Sequence, residues 1–246
     1  GPYWSVTRYK DIMEIDGNWQ DFSSEPAITI LEPEEDFPLP MFIAMDPPVH
    51  DEQRKTVQGS VAPANLKLME ETIRSRTQRV LDDLPIGEQF DWVDRVSIEL
   101  TTQMLATLFD FPFEDRRKLT RWSDVATGDE ESGIVESEEA RQAELYECLE
   151  YFTRLWHERE EKGERNDLVS MLAQGDATKN MTPQEYLGNL ILLIVGGNDT
   201  TRNSMTGGVW ALNQNPGEYA KLRNNPGVIP NMVSEIIRWQ TPLAHM

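Results

Sequence analysis

The amino-acid sequence predicts a mainly α-helical protein with little strand. Three observations carry that reading. Apolar residues recur at helical spacing along most of the chain after residue 46. Capping and stop signals bracket these stretches at ordinary helix lengths. A helical stretch that nothing interrupts between Thr182 and Asn215-Pro216 carries in its middle the run Leu190 to Val195, apolar on every side, as in a helix that passes through the centre of a protein.

Taken in order, a short helical pattern opens the chain over Val6 to Met13. Ser24 to Met45 is rich in proline and acidic residues and reads as a long ordered loop, a class often functional. Asp46-Pro47-Pro48 opens the next helix, with Asp46 as the expected N-cap. Pro63 starts a helix running to about Leu84, and Gly87 to Asp91 has room for a short strand. Trp92 to Phe109 is amphipathic and ends at Asp110-Phe111-Pro112; Glu114 to Thr127 is helical. After an acidic loop, Ser137 to Lys162 forms a long helix with Leu145, Leu149, Phe152 and Trp156 on one face, and Asn166 to Gln174 a short one. Thr182-Pro183-Gln184-Glu185 is a capping box with proline at the first helical position. The helix it opens spans roughly 30 residues, about 45 Å at 1.5 Å per residue. Two shorter helices follow, Pro216 to Arg223 and about Ile229 to Trp239.

Composition narrows the function. A formal net charge of −20, from 43 acidic and 23 basic residues, disfavours nucleic acid and anionic membranes as partners. The single cysteine, Cys148, excludes an intrachain disulfide and suits a reducing, cytoplasmic setting. The run Leu190 to Val195 is far too short to span a bilayer. The chain begins Gly1-Pro2-Tyr3-Trp4, without an initiator methionine or a signal peptide, and stops after a helix at His245-Met246; both ends are expected to be cut.

The central helix contains an anomaly. Gly196-Gly197-Asn198-Asp199-Thr200-Thr201 follows its apolar run directly. Two glycines inside a helix cost about 1 kcal/mol each relative to alanine, and an aspartate and two threonines at the centre of a protein need partners. Such rule-breaking marks functional sites. Glycines allow close approach to the backbone, and a carboxylate beside a hydroxyl can relay protons. A kinked core helix whose threonines bond back to the preceding turn explains the same residues. A phosphate loop does not, because its lysine is missing.

The motif resembles the oxygen-binding signature of the cytochrome P450 family. Two further matches follow in that family's order. Glu235-Ile236-Ile237-Arg238 resembles its Glu-x-x-Arg helix, and Met45 to Arg54 resembles the helix that holds the haem propionates, with His50 and Arg54 four apart on one face. Phe42 to Pro48, Arg54 to Val57, Val61-Ala62-Pro63 and Thr241 to Met246 look like the bacterial soluble alkane terminal hydroxylases.

The resemblance implies a cytochrome P450 fold, here one partial domain over residues 1–246, without the N-terminal sheet region or the C-terminal haem-ligand loop. It implies haem b as cofactor, with Gly196 and Gly197 over the haem face and His50 and Arg54 on the propionates. Thr200 would hydrogen-bond the oxygen being activated, and Asp199 would feed protons from solvent. Glu235 and Arg238 would form a buried structural pair. Leu192, Val195, Leu243 and Ala244 would line an apolar substrate pocket, with the Pro26 to Met45 loop as another wall. No metal ligand is expected within the chain, since the axial cysteine belongs to a loop beyond Met246 and Cys148 has no glycine-containing loop around it. Implied partners are O2, a hydrophobic substrate, and a ferredoxin with its NADH-dependent reductase. The implied reaction is terminal hydroxylation of a medium-chain alkane or fatty acid. A terpene or other hydrophobic substrate, and a non-catalytic helical binding protein, stay open.

Overall fold

The computed structural model describes residues 3–30, 37–128, 130–160 and 166–243. Its α-helices are α1 (Tyr9–Asp16), α2 (Val49–Val57), α3 (Pro63–Asp82), α4 (Glu99–Leu108), α5 (Arg117–Thr127), α6 (Glu138–Glu160), α7 (Leu168–Gln174), α8 (Pro183–Gln214), α9 (Pro216–Asn224) and α10 (Ile229–Gln240). A π-helical stretch, Val93–Ile98, runs directly into α4. No strand occurs among the described residues. The strand expected over Gly87 to Asp91 is irregular chain, with Gly87 at φ +80°; no described strand is there to pair with it, and an unpaired strand has no ladder to hold it.

Asp46 is not the N-cap of α2. The helix starts at Val49, Pro48 occupies the cap position, and no side chain caps it. The Asp46 carboxylate instead accepts the Ser24 N–H at 2.9 Å, which ties the proline-rich segment to the start of α2. Asp46 still meets the helix through its backbone, its carbonyl accepting the His50 N–H at 3.2 Å.

Backbone contacts cluster in two compact units. The first comprises residues 1–66 and 135–192. Within it α6 packs on α7, and α2 on α7. The buried stripe of α6 is Leu145, Cys148, Phe152, Leu155 and Arg159, alternating three and four apart as a helix face requires. Leu149 and Trp156, expected on that face, lie at its half-buried margin. Leu187 and Leu190 of α8 add to this core, and the Tyr186 hydroxyl donates to the Phe152 carbonyl at 3.3 Å. Segment 37–45 passes close over the α8 backbone. A Cβ on Gly188 would stand 2.1 Å from the Pro40 carbonyl oxygen, so only glycine fits there. Next to it, buried Asn189 accepts the Phe42 N–H at 2.9 Å and donates to Gln53 at 3.3 Å.

The second unit comprises residues 67–134 and 193–244. In it α4 packs on α5. Its core holds Leu105, Phe109, Leu119, Trp122, Val125 and Ile194, with Phe111 edge-on to Trp122 at 6.1 Å between ring centres.

Candidate active site

The helix that carries the anomaly is firmly started. The Glu185 side chain accepts the Thr182 N–H at 2.8 Å, and the Thr182 hydroxyl accepts the Glu185 N–H at 3.3 Å, which satisfies two donors that a helix start leaves open. From that anchor α8 continues unbroken through the double glycine to Gln214.

The two glycines differ. A Cβ on Gly196 would meet nothing within 4 Å, whereas one on Gly197 would lie 2.6 Å from a Leu105 methyl. Gly196 therefore keeps a face of the helix open, and Gly197 lets α4 approach. Asn198 is fully buried. It accepts from the Thr101 hydroxyl at 3.1 Å and donates to Asp199 at 3.2 Å. Arg202, one turn on, bridges two carboxylates: it reaches Asp199 at 2.5 Å and Asp124 of α5 at 3.0 Å.

Burial pushes the Asp199 carboxyl above the usual carboxylate range; Arg202 opposes that shift, Asp124 adds to it, and the Ser123 hydroxyl opposes it. A carboxyl so placed holds and releases a proton more readily near neutral pH than an exposed one does. The Thr200 hydroxyl donates back to the Gly196 carbonyl at 2.9 Å. Its proton is thus committed, and its lone pairs remain to accept a hydrogen bond. Thr200 and Thr201 border an apolar recess of about 750 Å³, walled also by Val96, Leu100, Ile236 and Ile237.

Leu192 and Val195 are half-buried and Leu243 is exposed. None of the three lines that recess. Ala244 lies outside the described residues.

In the first unit, His50 Nδ1 donates to the Phe42 carbonyl at 2.8 Å. A neutral ring then offers only an acceptor at Nε2, and a charged ring a second donor. Arg54 is exposed on the same helix.

Glu235 and Arg238 form the expected bidentate pair, at 2.6 and 2.7 Å. The expected burial is not found. The side chains are 59% and 65% exposed, because the inward face of α10 carries Met232 and Ile236 instead. Arg238 holds the Glu235 carboxyl below its usual range, and Glu235 raises the guanidinium. Cys148 is fully buried, and burial pushes its thiol well up, so it stays protonated and unfit as a metal ligand.

Sequence reasoning missed Asp124, Thr101 and Arg202. Arg202 was accessible, since it stands three residues after Asp199 on one helix face. Asp124 and Thr101 carried no signal, because their link to α8 is made only by tertiary packing.

No protein-family model matches the chain. Among solved structures it is similar to cytochrome P450-153 from Novosphingobium aromaticivorans, at 47% identity and a TM-score of 0.85 over 99% of this chain and 62% of that one. The cytochrome P450 CYP153D17 from Sphingomonas sp. PAMC 26605 matches at 49% identity and a TM-score of 0.85, over 97% of this chain and 61% of that one. The chain belongs to the cytochrome P450 superfamily. Linalool 8-monooxygenase of Pseudomonas putida, a curated relative, is 29% identical over 99% of this chain and 63% of its own length. The chain thus spans 61–63% of the length of these three P450 proteins.

P450 enzymes are haem-thiolate proteins, and the residues present fit parts of that group. In the second unit Gly196 opens a helix face where a flat ring can approach; in the first, the exposed Arg54 guanidinium is a donor of the kind that suits a propionate. The thiolate is not among these residues, since the sequence has no cysteine besides the buried Cys148. No helix among the described residues is long and apolar enough to cross a membrane.

Proposed function

We propose that the protein carrying this chain is a cytoplasmic P450 monooxygenase that inserts one atom of O2 into a C–H bond of an apolar substrate and releases the other as water, with two electrons from a ferredoxin and its NADH-dependent reductase and two protons from solvent. The reading rests on one observation: a P450 helix that sets an open glycine, a threonine hydroxyl and a part-buried carboxylate within one turn of each other. Haem b, when bound through an external cysteine thiolate, supplies the iron chemistry that splits O2. The residues of this chain manage protons and exclude water. Asp199 takes a proton from solvent at its carboxylate, and its raised affinity suits release near neutral pH. Thr200 Oγ1, anchored on the Gly196 carbonyl, accepts a hydrogen bond on the open side of the helix. Gly196 keeps that side clear, while Gly197 lets α4 pack against another side. His50 and Arg54 hold propionates.

Leu192, Val195, Leu243 and Ala244 are proposed to contact the substrate. Segments such as Phe42 to Pro48 resemble alkane terminal hydroxylases, which favours a medium-chain alkane or fatty acid oxidised at its end carbon. The relative named for linalool favours the second reading, a terpene.

The test uses the natural-length protein. Thr200→Ala should keep substrate binding, consume NADH, and release hydrogen peroxide at the expense of alcohol. Asp199→Asn should slow NADH consumption itself, by a factor in the range of about 100 to 10,000 typical of positioned proton transfer. A Thr200→Ala protein with wild-type coupling would return Thr200 to a local back-bond of a core helix. Optical titration with octane against linalool separates the two substrate readings.

A further inference from the structure

In the second unit, well outside the α8 motif, five arginines converge on one recess of about 350 Å³: Arg76, Arg79, Arg95, Arg116 and Arg117, with two carboxylates, Glu99 and Asp83, in its lining. This concentration is unusual in a chain whose net charge is −20. The internal carboxylates do not use up the cations. Glu99 takes both Arg116, at 2.8 Å, and Arg117, at 3.0 Å. Arg117 also reaches Asp94 at 2.8 Å.

The other three guanidinium groups have no carboxylate partner among the described residues. Arg76 donates to the Gln103 carbonyl at 2.6 Å and the Thr107 hydroxyl at 2.5 Å. Arg95 donates to the Asp83 carbonyl oxygen at 3.2 Å. Arg79 is exposed on the last turn of α3 and neither donates a hydrogen bond nor forms an ion pair with a described residue. Burial lowers the pKa of Arg76, and the neighbouring Arg79 lowers it further, as desolvation and a nearby like charge both do to a cation. Phe113 gives the cluster a rigid backing: Arg116 lies 4.4 Å and Arg76 5.6 Å from its ring centre.

We infer that this recess is an anion-binding site for a small phosphate-bearing molecule. Planar guanidinium groups approaching from several directions match the oxygens of phosphoryl groups better than a lone carboxylate. The volume lies near the lower end of the roughly 300–1,000 Å³ typical of small-ligand pockets, room for one or two phosphoryl groups with a short organic body. Its concavity favours such a ligand over a protein face. The inference is independent of the monooxygenase reading, since no residue of the α8 motif takes part.

Pyrophosphate is the probe, titrated calorimetrically into the natural-length protein at low salt. Saturable 1:1 binding is expected, weakening as salt rises. Arg79→Gln should weaken it at least about 10-fold, as loss of a charge-assisted hydrogen bond does, with an unchanged unfolding midpoint because Arg79 holds nothing in the fold. Lys67→Gln, the same charge change on an exposed residue of α3 outside the recess, should leave binding intact. A parallel titration with inorganic phosphate shows whether a single phosphoryl group suffices. Absence of saturable binding, or equal losses in Arg79→Gln and Lys67→Gln, would overturn the inference. So would binding of an acidic peptide, but not of pyrophosphate, in an Arg79-dependent way; the recess would then be a protein contact.

Discussion

At the scale of single residues, burial decides what a charge pair contributes. Arg202 and Arg238 each stand three residues after an acidic partner, yet Arg202 is 16% exposed and bridges two carboxylates while Arg238 is 65% exposed. Arg202→Ala leaves Asp199 and Asp124 facing each other without a cation, and should cost about 3 kcal/mol at neutral pH, near the lower end for breaking a buried pair. The pH dependence follows from the sign of the Asp199 shift. Its folded pKa is raised, so its favourable contribution is complete below the unfolded value of about 3.9 and is lost as pH rises through the folded value. Removing Arg202 raises the folded value further, so the penalty should grow from acid toward neutral pH in urea titrations run at both. Arg238→Ala, by contrast, should leave the unfolding midpoint nearly unchanged, since exposed pairs contribute little. The Glu-x-x-Arg spacing was legible in the sequence, but its exposure was not, because spacing fixes a shared helix face and says nothing about where that face points.

At the scale of elements, α8 shows which glycines answer to packing and which to an open face. Gly188→Ala drives a Cβ to 2.1 Å from the Pro40 carbonyl oxygen. Backbone on both sides cannot yield, so a loss of about 3 kcal/mol or more is expected, as for severe overpacking. Gly196→Ala meets nothing and replaces a poor helix former, so it should raise stability by up to about 1 kcal/mol. If the open face receives the prosthetic group, the same variant alters the optical spectrum of the loaded protein while the unfolding midpoint rises. A spectrum identical to wild type would remove Gly196 from the site. Thr182→Ala removes one arm of the capping box and should cost about 1 kcal/mol by urea unfolding. The capping box and the start of α8 were readable from four consecutive residues, because capping is local chemistry. The role of Gly188 was not, because Pro40 lies 148 positions away in the chain.

At the scale of the whole molecule, the helical class and the order of the long helices were legible, because periodicity of apolar residues is set by burial on one face. What escaped was pairing between distant segments: the Asn198–Thr101 bond, the Asp124–Arg202 bridge, and the arginine recess assembled from α3, the start of α4 and the region before α5. Cys148 provides a readout at the same scale. It lies on the buried stripe of α6, with no exposure at all. Burial raises its thiol pKa, and the neighbouring Glu147 adds to the shift, so both access and thiolate fraction oppose reaction. In native protein at pH 8, alkylation by iodoacetamide should be slower at Cys148 than at an exposed thiol by the factor by which the first unit stays closed. For a domain stable by the usual 5–15 kcal/mol that factor exceeds about 1,000. Urea should accelerate the labelling in parallel with unfolding, read by mass spectrometry of the peptide that carries Cys148. Rapid labelling without denaturant would show that α6 separates from α7 and α8 under native conditions, and that the buried stripe is a weakly held surface rather than the core of its unit.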